Sequence, residues 1–279
     1  KNGLRNQLLY RDLAQVLCAL QADGISVIVL KGAHLAALLY PQVALRVMGD
    51  MDLLVKRADL KQAARRLQQL GYAFETAVDY DAFLNSDPPP PHLPPLFKPP
   101  HPRIELHWRI DTAQPAQEEP ELWKRARPAQ LAGVDTLVLA PEDLVLHLCL
   151  HGGSHHLFEL GLRPFWDLRV TLEHGHTTID WPLLLSLARG WRVEKCLYVM
   201  LSLARDLVQA PVPAGVLQSL KPADLKERWL TAAKERLMQA ENGFDAETAA
   251  LLKSLNLLAG LLIPKTRVAG HGSRWRTVF

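Results

Sequence analysis

The sequence predicts an α+β fold: a mixed β-sheet flanked by helices and followed by an all-helical C-terminal domain. Three observations support it. Apolar β-branched runs and an alternating run lie before position 137, leucines at helical spacing surround them, and helical patterns alone follow. A chain of 279 residues can bury more than one core, so we expect two domains, over residues 1–136 and 137–279.

Helices and strands are predicted in turn along the first part of the chain. Leucines spaced three and four residues apart from Leu4 to Leu20 predict an amphipathic helix that ends before Gly24. Gly71 marks the end of a later helix in the same way. The predicted helices cover residues 4–20, 34–40 and 58–70, and the predicted strands cover residues 25–30, 50–55, 72–78 and 103–110.

Two aspartates separated by one residue, Asp50 and Asp52, open the second predicted strand. Residues i and i+2 of a strand lie on the same face, so both carboxylates point the same way. Like charges this close repel unless cations lie between them, and Mg²⁺ is typically bound by carboxylates together with substrate phosphates. The pair therefore predicts a site for Mg²⁺ (or Mn²⁺) and phosphoryl or nucleotidyl chemistry.

The turn at Lys31 and Gly32 predicts a phosphate site. It joins a buried strand to a helix N-terminus, where unpaired N–H groups and the helix dipole favour anions. Gly32 would let the backbone approach the ligand and Lys31 would add a positive charge. Arg46, in the connection that follows, could reach a phosphate.

A strand with one polar face is predicted over residues 103–110 because polar and apolar residues alternate there. The apolar positions are Ile104, Leu106, Trp108 and Ile110, and the polar ones are Arg103, Glu105, His107 and Arg109. If this strand pairs beside the aspartate strand, Glu105 joins Asp50 and Asp52 at the metal site. His107 and Arg109 would then line the rim.

The segment from Pro88 to Pro102 contains nine prolines in fifteen residues. Proline lacks a donor N–H and fixes φ, so neither a helix nor a central strand is expected here. Two interpretations stay open. The segment is a stiff polyproline-like surface loop, or it is a lid or acceptor-side wall that carries His92, Lys98 and His101.

The second part of the chain reads as helices. Proline and two acids at positions 141–143 predict the start of a helix that Gly152 and Gly153 end. Asp167 is expected to cap or pair structurally rather than to act in catalysis. Further helices are predicted over residues 157–174, 181–190, 193–209, 222–240 and 245–262, and a loose basic tail over residues 267–279.

Composition limits the partners and the compartment. The net charge of +3 predicts neither a nucleic-acid nor a membrane partner, and no apolar run reaches the length of a membrane span. Cys18, Cys149 and Cys196 lie far apart and form no CxxC pair, which is typical of buried free thiols in the reducing cytoplasm.

Four histidines raise a zinc hydrolase as an alternative. His147 and His151 lie one helical turn apart, and His155 and His156 follow. Two histidines at this spacing can bind zinc, but the glutamate of the HExxH pattern and a thiolate ligand are lacking. Histidines that border a cleft or pack at a helix end are therefore the favoured interpretation.

Several motifs together carry a family resemblance. They are Val29-Leu30-Lys31-Gly32-Ala33, Leu39-Tyr40-Pro41, Arg46, Asp50-Met51-Asp52-Leu53-Leu54-Val55, Leu70-Gly71-Tyr72 and Ile104-Glu105-Leu106-His107-Trp108. In these motifs the chain resembles the uncharacterised nucleotidyltransferase-like family, part of the DNA polymerase β-type nucleotidyltransferase superfamily. The resemblance covers about residues 4–205 and implies a nucleotidyltransferase-type mixed sheet.

The resemblance also implies roles for individual residues. Gly32 matches the glycine of the family's turn, Asp50 and Asp52 match the metal pair, and Glu105 matches the third acid. Lys31, Gly32, Ala33 and Arg46 would bind the nucleotide, although Ala33 replaces the serine or glycine often found there and so offers no hydroxyl. His151 lies on a histidine-bearing helix like one in the family, and it joins His107 and Arg109 on the acceptor side.

The resulting hypothesis is an enzyme that moves a nucleoside monophosphate from a nucleoside triphosphate to a hydroxyl or similar acceptor by a two-metal mechanism. The acceptor, a small molecule or a macromolecule, is not indicated by the sequence. Two alternatives with the same fold are a non-catalytic nucleotide-binding module, which Ala33 favours, and a toxin–antitoxin or peptide-tailoring component.

Overall fold

The computed structural model describes residues 2–86, 89–155, 160–174 and 179–223 and positions 230, 231, 234 and 237, without the side chains of residues 154 and 155. The helices are α1 (Asn2–Ala22), α2 (Lys31–Leu38), α3 (Leu60–Gln69), α4 (Tyr80–Leu84), α5 (Glu118–Arg125), α6 (Pro141–Leu150), α7 (Arg163–Glu173), α8 (Trp181–Gly190), α9 (Glu194–Val208) and α10 (Ala214–Leu220). The strands are β1 (Ile28–Val29), β2 (Asp50–Leu54), β3 (Ala73–Phe74), β4 (Leu96–Phe97), β5 (Arg103–His107), β6 (Arg127–Leu131) and β7 (Val134–Val138).

Most predicted elements are present, and several are shorter than expected. The predicted strand over residues 72–78 contracts to the two residues of β3, and the strand over residues 103–110 ends at His107. Nearly all of the helix predicted over residues 222–240, and all of the helix over residues 245–262 and the tail over residues 267–279, lie outside the described residues. No helix in the described part is both long and apolar enough to cross a membrane.

The strands form one mixed sheet in the order β3-β4-β5-β2-β1-β7-β6. The pairs β2–β5 and β1–β7 are parallel, and the other neighbouring strands are antiparallel. In the register of β2 with β5, Asp52 lies opposite Glu105 and Asp50 lies opposite Arg103. The expected pairing of the Glu105 strand with the aspartate strand is thereby confirmed.

Strand β4 lies inside the proline-rich segment. It pairs antiparallel with both β3 and β5, so the expectation that no central strand fits residues 88–102 is wrong. The pairing uses Leu96 and Phe97, two of the few residues there that are not proline. Proline also keeps its carbonyl as an acceptor: the N–H of Trp108 donates to the carbonyl oxygen of Pro91 at 3.0 Å.

Strands β6 and β7 form a hairpin that the sequence analysis did not anticipate. Ala132 and Gly133 make its turn with φ angles of 53° and 78°, as a two-residue hairpin turn requires. Alanine at the first of these positions hides the usual Asn-Gly or Asp-Gly signal. Strand β7 crosses the boundary expected after residue 136, and the division into two domains stays a prediction.

Two hydrophobic clusters cover the two faces of the sheet. Neighbouring residues of β1 alternate between them: Ile28 packs in the cluster that contains Phe165 and Leu197 of the later helices, and Val29 packs in the cluster of α1 and α3. The helices α6 to α10 therefore share their core with one face of the sheet. This contact places α7 next to the polar residues at the ends of β2 and β5.

The glycines at positions 152 and 153 do not end the chain's helical path. Helix α6 continues as a π-helical turn over His151–His155. A Cβ added to Gly152 would lie 2.8 Å from Cε of Met200, and one added to Gly153 would lie 2.9 Å from Sγ of Cys196. Glycine at both positions thus allows this turn to pack closely against α9.

Candidate functional site

Strands β2 and β5 bring carboxylates and an imidazole together on one face of the sheet. Asp52, Glu105 and His107 each offer one ligand atom, and these atoms all lie within 4.8 Å of one another. Within the described residues, this is the group of His, Cys, Asp and Glu side chains that could hold a metal ion. The i, i+2 spacing in β5 and the parallel register with β2 are sufficient to produce it.

Lys31 provides the nearest positive charge. Its Nζ donates to Oδ1 of Asp52 at 2.6 Å and lies 3.7 Å from Oε2 of Glu105. Lys31 begins α2 with φ at 44°, the left-handed region, which costs a non-glycine residue about 1–2 kcal/mol. Gly32 lies in the first helical turn, where a Cβ would be 3.1 Å from Cγ of Met48, so close packing rather than a left-handed turn explains this glycine.

His107 is buried beside the carboxylates of Asp50, Asp52 and Glu105, which we call the acid cluster together with Lys31 and Arg103. The position at the rim that the sequence suggested is therefore wrong. The Nε2 of His107 lies 3.1 Å from Oδ1 of Asp52 and 3.8 Å from Oε2 of Glu105, and its side chain is 3% exposed. The strand alternation had placed His107 on the same face as Glu105. The proline-rich segment over residues 88–102 contributes to this burial, because its His92 pairs with His107 across a β-bridge.

Arg103 lies at the solvent side of the same face. Its Nη2 is 3.0 Å from Oδ2 of Asp50 and 3.4 Å from Oε1 of Glu105. Three carboxylates, those of Asp50, Asp52 and Glu105, therefore share two cations, Lys31 and Arg103. The carboxylates of this group thus outnumber its lysine and arginine side chains.

The pKa values in the cluster differ in direction because the cations are unevenly placed. Burial acts to raise the pKa of Asp52, but Lys31 and His107 outweigh it and hold that pKa well below its ordinary value. Glu105 is also kept ionised, since His107 and Lys31 lower its pKa against the effect of burial. The pKa of Asp50 is raised by burial and by the charges of Asp52 and Glu105.

A cavity of about 260 Å³ opens over this cluster. Its lining includes seven of the residues that the sequence indicated, namely Lys31, Gly32, Arg46, Asp50, Asp52, Glu105 and His151. It also includes Arg103 and Arg163, which the sequence analysis left out of the candidate site. Arg163 is presented from the start of α7, so a contact between distant parts of the chain was needed to find it.

Two further candidate residues lie elsewhere. Ala33 is buried under α1, where its carbonyl oxygen accepts a 2.7 Å hydrogen bond from the hydroxyl of Tyr10. The guanidinium of Arg109 lies 4.5 Å from the ring centroid of Trp108, beyond the end of β5 and outside the lining of the cavity. Strand β5 ends two residues earlier, so the alternation that placed Arg109 on the polar face no longer applies.

Arg46 lines the cavity, but a carboxylate on α7 engages its charge. Its Nε and Nη2 donate to the two carboxylate oxygens of Asp167 at 2.8 and 2.9 Å. The hydroxyl of Tyr40 donates to Oδ1 of the same residue at 2.7 Å. The structural pairing expected for Asp167 is confirmed, and we refer to Arg46, Tyr40 and Asp167 as the Asp167 network.

The histidines of α6 do not form a three-ligand metal group within the described residues. His147 is 1% exposed, neither of its ring nitrogens has a hydrogen-bond partner in this structure, and burial lowers its pKa to about 3. His147 and His151 have ring centroids 6.1 Å apart. The side chain of His155 and all of His156 lie outside the described residues.

Comparison with known proteins identifies a family. No curated protein matches the chain. The model of a family described as uncharacterised nucleotidyltransferase matches residues 1–209, well over half of the 279 residues. The matched region contains β2, β5, the start of α2 and the whole of the cavity described above. The chain therefore belongs to this family of uncharacterised nucleotidyltransferases.

Proposed function

We propose that the protein transfers a nucleoside monophosphate from a nucleoside triphosphate to a hydroxyl or similar acceptor, with the help of divalent metal ions. One observation carries the proposal: Asp52 and Glu105, two members of the group that could hold a metal ion, line the same cavity as Lys31 at the start of α2. Family membership supplies the class of reaction. The acid side chains beside Lys31 support a role for metal ions and phosphate at this cavity.

The donor atoms of the cluster fit a divalent cation. Carboxylate oxygens suit Mg²⁺ and Mn²⁺, and the imidazole of His107 makes Mn²⁺ the better match of the two. Asp52, Glu105 and His107 would hold the ion, and the two-ion arrangement expected from the sequence needs Asp50 as well. A bound divalent ion stabilises negative charge on phosphate oxygens and makes a bound hydroxyl easier to deprotonate.

Cationic groups around the cavity would bind and orient the triphosphate. Lys31 is 12% exposed at its side chain and lies beside the N–H groups of the first turn of α2, which have no partner within the helix. Arg103 and Arg163 face the same cavity. Holding the phosphates in line for attack and neutralising their charge are the chain's main contributions to catalysis.

The acceptor would approach from the side of the cavity where His151 lies. Glu105 faces this space with 13% of its side chain exposed and with a lowered pKa that keeps it ionised. We assign to Glu105 the acceptance of the proton from the attacking hydroxyl. Arg109, outside the lining, takes no part in this step.

A second candidate function is a nucleotide-binding module without catalysis. The observation that favours it is the position of Lys31, whose ammonium already lies between Asp52 and Glu105, at 2.6 and 3.7 Å. In such a module Lys31 would replace the metal ion as the counter-charge. Nucleoside triphosphates would then bind, but pyrophosphate would not be released.

Transfer of radioactive label tests the proposal. The full chain is incubated with each of the four nucleoside triphosphates labelled at the α-phosphate, with Mg²⁺ or Mn²⁺, and with cell-extract fractions as sources of acceptor. We expect labelled product and pyrophosphate with at least one triphosphate, and a rate on the order of 1,000-fold lower for Asp52→Asn, which removes a charge-stabilising group.

Asp81→Asn is the matched control for that variant. Asp81 also contacts a lysine at 2.7 Å, Lys61, but its side chain is 79% exposed and lies outside the cavity. The control should keep full activity. Full activity of Asp52→Asn would disprove the metal-dependent mechanism, and binding without pyrophosphate release by the unchanged protein would favour the module.

A further inference from the structure

A second, larger cavity adjoins the one over the acid cluster. It has a volume of about 620 Å³, and Arg46, Val47 and Arg163 line both cavities. The smaller cavity, at about 260 Å³, lies below the range of roughly 300–1,000 Å³ typical of pockets that enclose a whole organic ligand. It can take the phosphates of a nucleotide, and the rest of the molecule must extend beyond it.

The larger cavity differs in character from the smaller one. Tyr40, Leu45, Leu162, Trp166 and Leu207 contribute apolar surface to its wall. Leu45 and Trp166 are 59% and 45% exposed, so two large apolar residues of this wall are accessible to a ligand. Arg46, Arg163 and Arg169 line the cavity too. Asp167 engages Arg46 and Glu173 engages Arg169, so the apolar part of the wall remains to bind a flat, uncharged ring system.

Trp166 is held in place for stacking. The guanidinium carbon of Arg169 lies 5.1 Å from the centroid of its ring. Arg169 is itself fixed by Glu173 at 2.9 Å and by the carbonyl oxygen of Val208 at 2.7 Å. An aromatic side chain that is immobilised and still exposed can stack on a nucleobase, whose π-face is common to all four bases.

Helix α7 connects the two cavities. Arg163 and Trp166 lie three residues apart, hence on the same side of the helix, and Arg163 lines the shared wall. Among the described residues no carboxylate lies within ion-pair distance of Arg163, and Asp167, four residues further along α7, is engaged by Arg46. Arg163 therefore offers positive charge where a nucleotide would pass from one cavity into the other.

From this arrangement we infer that the nucleoside of the triphosphate lies in the larger cavity with its base stacked on Trp166, while the phosphates lie over the acid cluster and pass Arg163. The inference rests on the proposed function and specifies how its nucleotide is bound. It assigns the larger cavity to the nucleotide and not to the acceptor.

Calorimetric titration of the full chain separates the phosphate and nucleoside contributions. The probes are ATP and inorganic tripolyphosphate, each with Mn²⁺. We expect ATP to bind on the order of 10-fold more tightly, because stacking on an aromatic side chain has that effect. Trp166→Ala should abolish this advantage and leave tripolyphosphate affinity unchanged, and Trp166→Phe should keep most of it.

Trp123→Ala is the matched control, because Trp123 lines a different cavity beside α5 and has a lysine over its ring. It should leave the affinity for both probes unchanged. Tripolyphosphate binding with no advantage for ATP, or an ATP advantage that survives Trp166→Ala, would overturn the inference and leave the proposed function standing. If neither ATP nor tripolyphosphate binds, both the inference and the proposed function are wrong.

Discussion

Two groups of charged side chains in this protein are balanced differently. The acid cluster contains the carboxylates of Asp50, Asp52 and Glu105 and the cations Lys31 and Arg103. In the Asp167 network one carboxylate receives two hydrogen bonds from Arg46 and one from Tyr40. In the first group the carboxylates outnumber the lysine and arginine side chains, whereas the second pairs one carboxylate with one guanidinium.

We interpret the difference as one between the proposed binding site and a structural support. A buried ion pair with all its hydrogen bonds made is stable without a ligand, so the Asp167 network can join the segment before β2 to helix α7. Carboxylates that lie this close together repel one another unless cations lie between them. We therefore expect substitutions in the acid cluster to alter the effect of metal ions. Substitutions in the Asp167 network should instead lower the free energy of unfolding.

The largest effect on stability is expected from Asp167→Asn. The variant leaves Arg46, with a side chain only 12% exposed, without its carboxylate, and removing one partner of a buried pair typically costs about 3–5 kcal/mol. Urea unfolding measures the loss. Asp81→Asn, at the exposed pair with Lys61, should change the free energy of unfolding by less than about 1 kcal/mol. Equal losses in the two variants would contradict the supporting role of the network.

The free energy of unfolding should also depend on pH through His34, a buried histidine that belongs to neither group. Burial lowers the pKa of His34 from 6.5 to about 4. The unfolded chain then binds a proton more readily than the folded one, so the free energy of unfolding should fall as the pH drops from about 6.5 to about 4, by roughly 3 kcal/mol for this residue. His34→Gln, which cannot gain this proton, should show a shallower decline in urea titrations. An unchanged slope would contradict the prediction.

Metal ions should stabilise the protein through the acid cluster alone. At a concentration one hundred times its dissociation constant, an ion that binds only the folded state adds about 2.7 kcal/mol to the free energy of unfolding. We expect Mn²⁺ to raise the midpoint of thermal unfolding of the unchanged chain and of Asp167→Asn, but not of Asp52→Asn. A rise of equal size in Asp52→Asn would place the ion elsewhere.

The smallest effect is expected from Asp50→Asn in the absence of metal ions. Burial and repulsion from Asp52 and Glu105 disfavour the charge of Asp50, so its removal should raise the free energy of unfolding slightly at neutral pH. The same variant should lose transferase activity. Denaturant titration and the label-transfer assay together check this, and a loss of stability would mean that Arg103 outweighs the repulsion.

Local patterns were enough to predict which acidic side chains share a strand face and where the first helices lie. The spacing of Asp50 and Asp52 and the alternation around Glu105 depend only on which face of a strand each residue occupies. Arg163 could not be found in this way, because its place in the cavity depends on the packing of α7 against the sheet. The partner of Arg46 likewise lies 121 residues away. Strand β4 and the hairpin of β6 and β7 were missed because proline and alanine gave no local strand or turn signal.

The sequence by itself determined which residues are candidates for binding metal and phosphate, because residue type and strand or helix period set both chemistry and direction. Tertiary structure alone decided which of them meet. Parallel pairing of β2 with β5 set Asp52 opposite Glu105, burial moved His107 from the expected rim into the cluster, and the docking of α7 joined a second cavity to the first. These outcomes depend on contacts between segments far apart in the chain, and local periodicity contains no information about them.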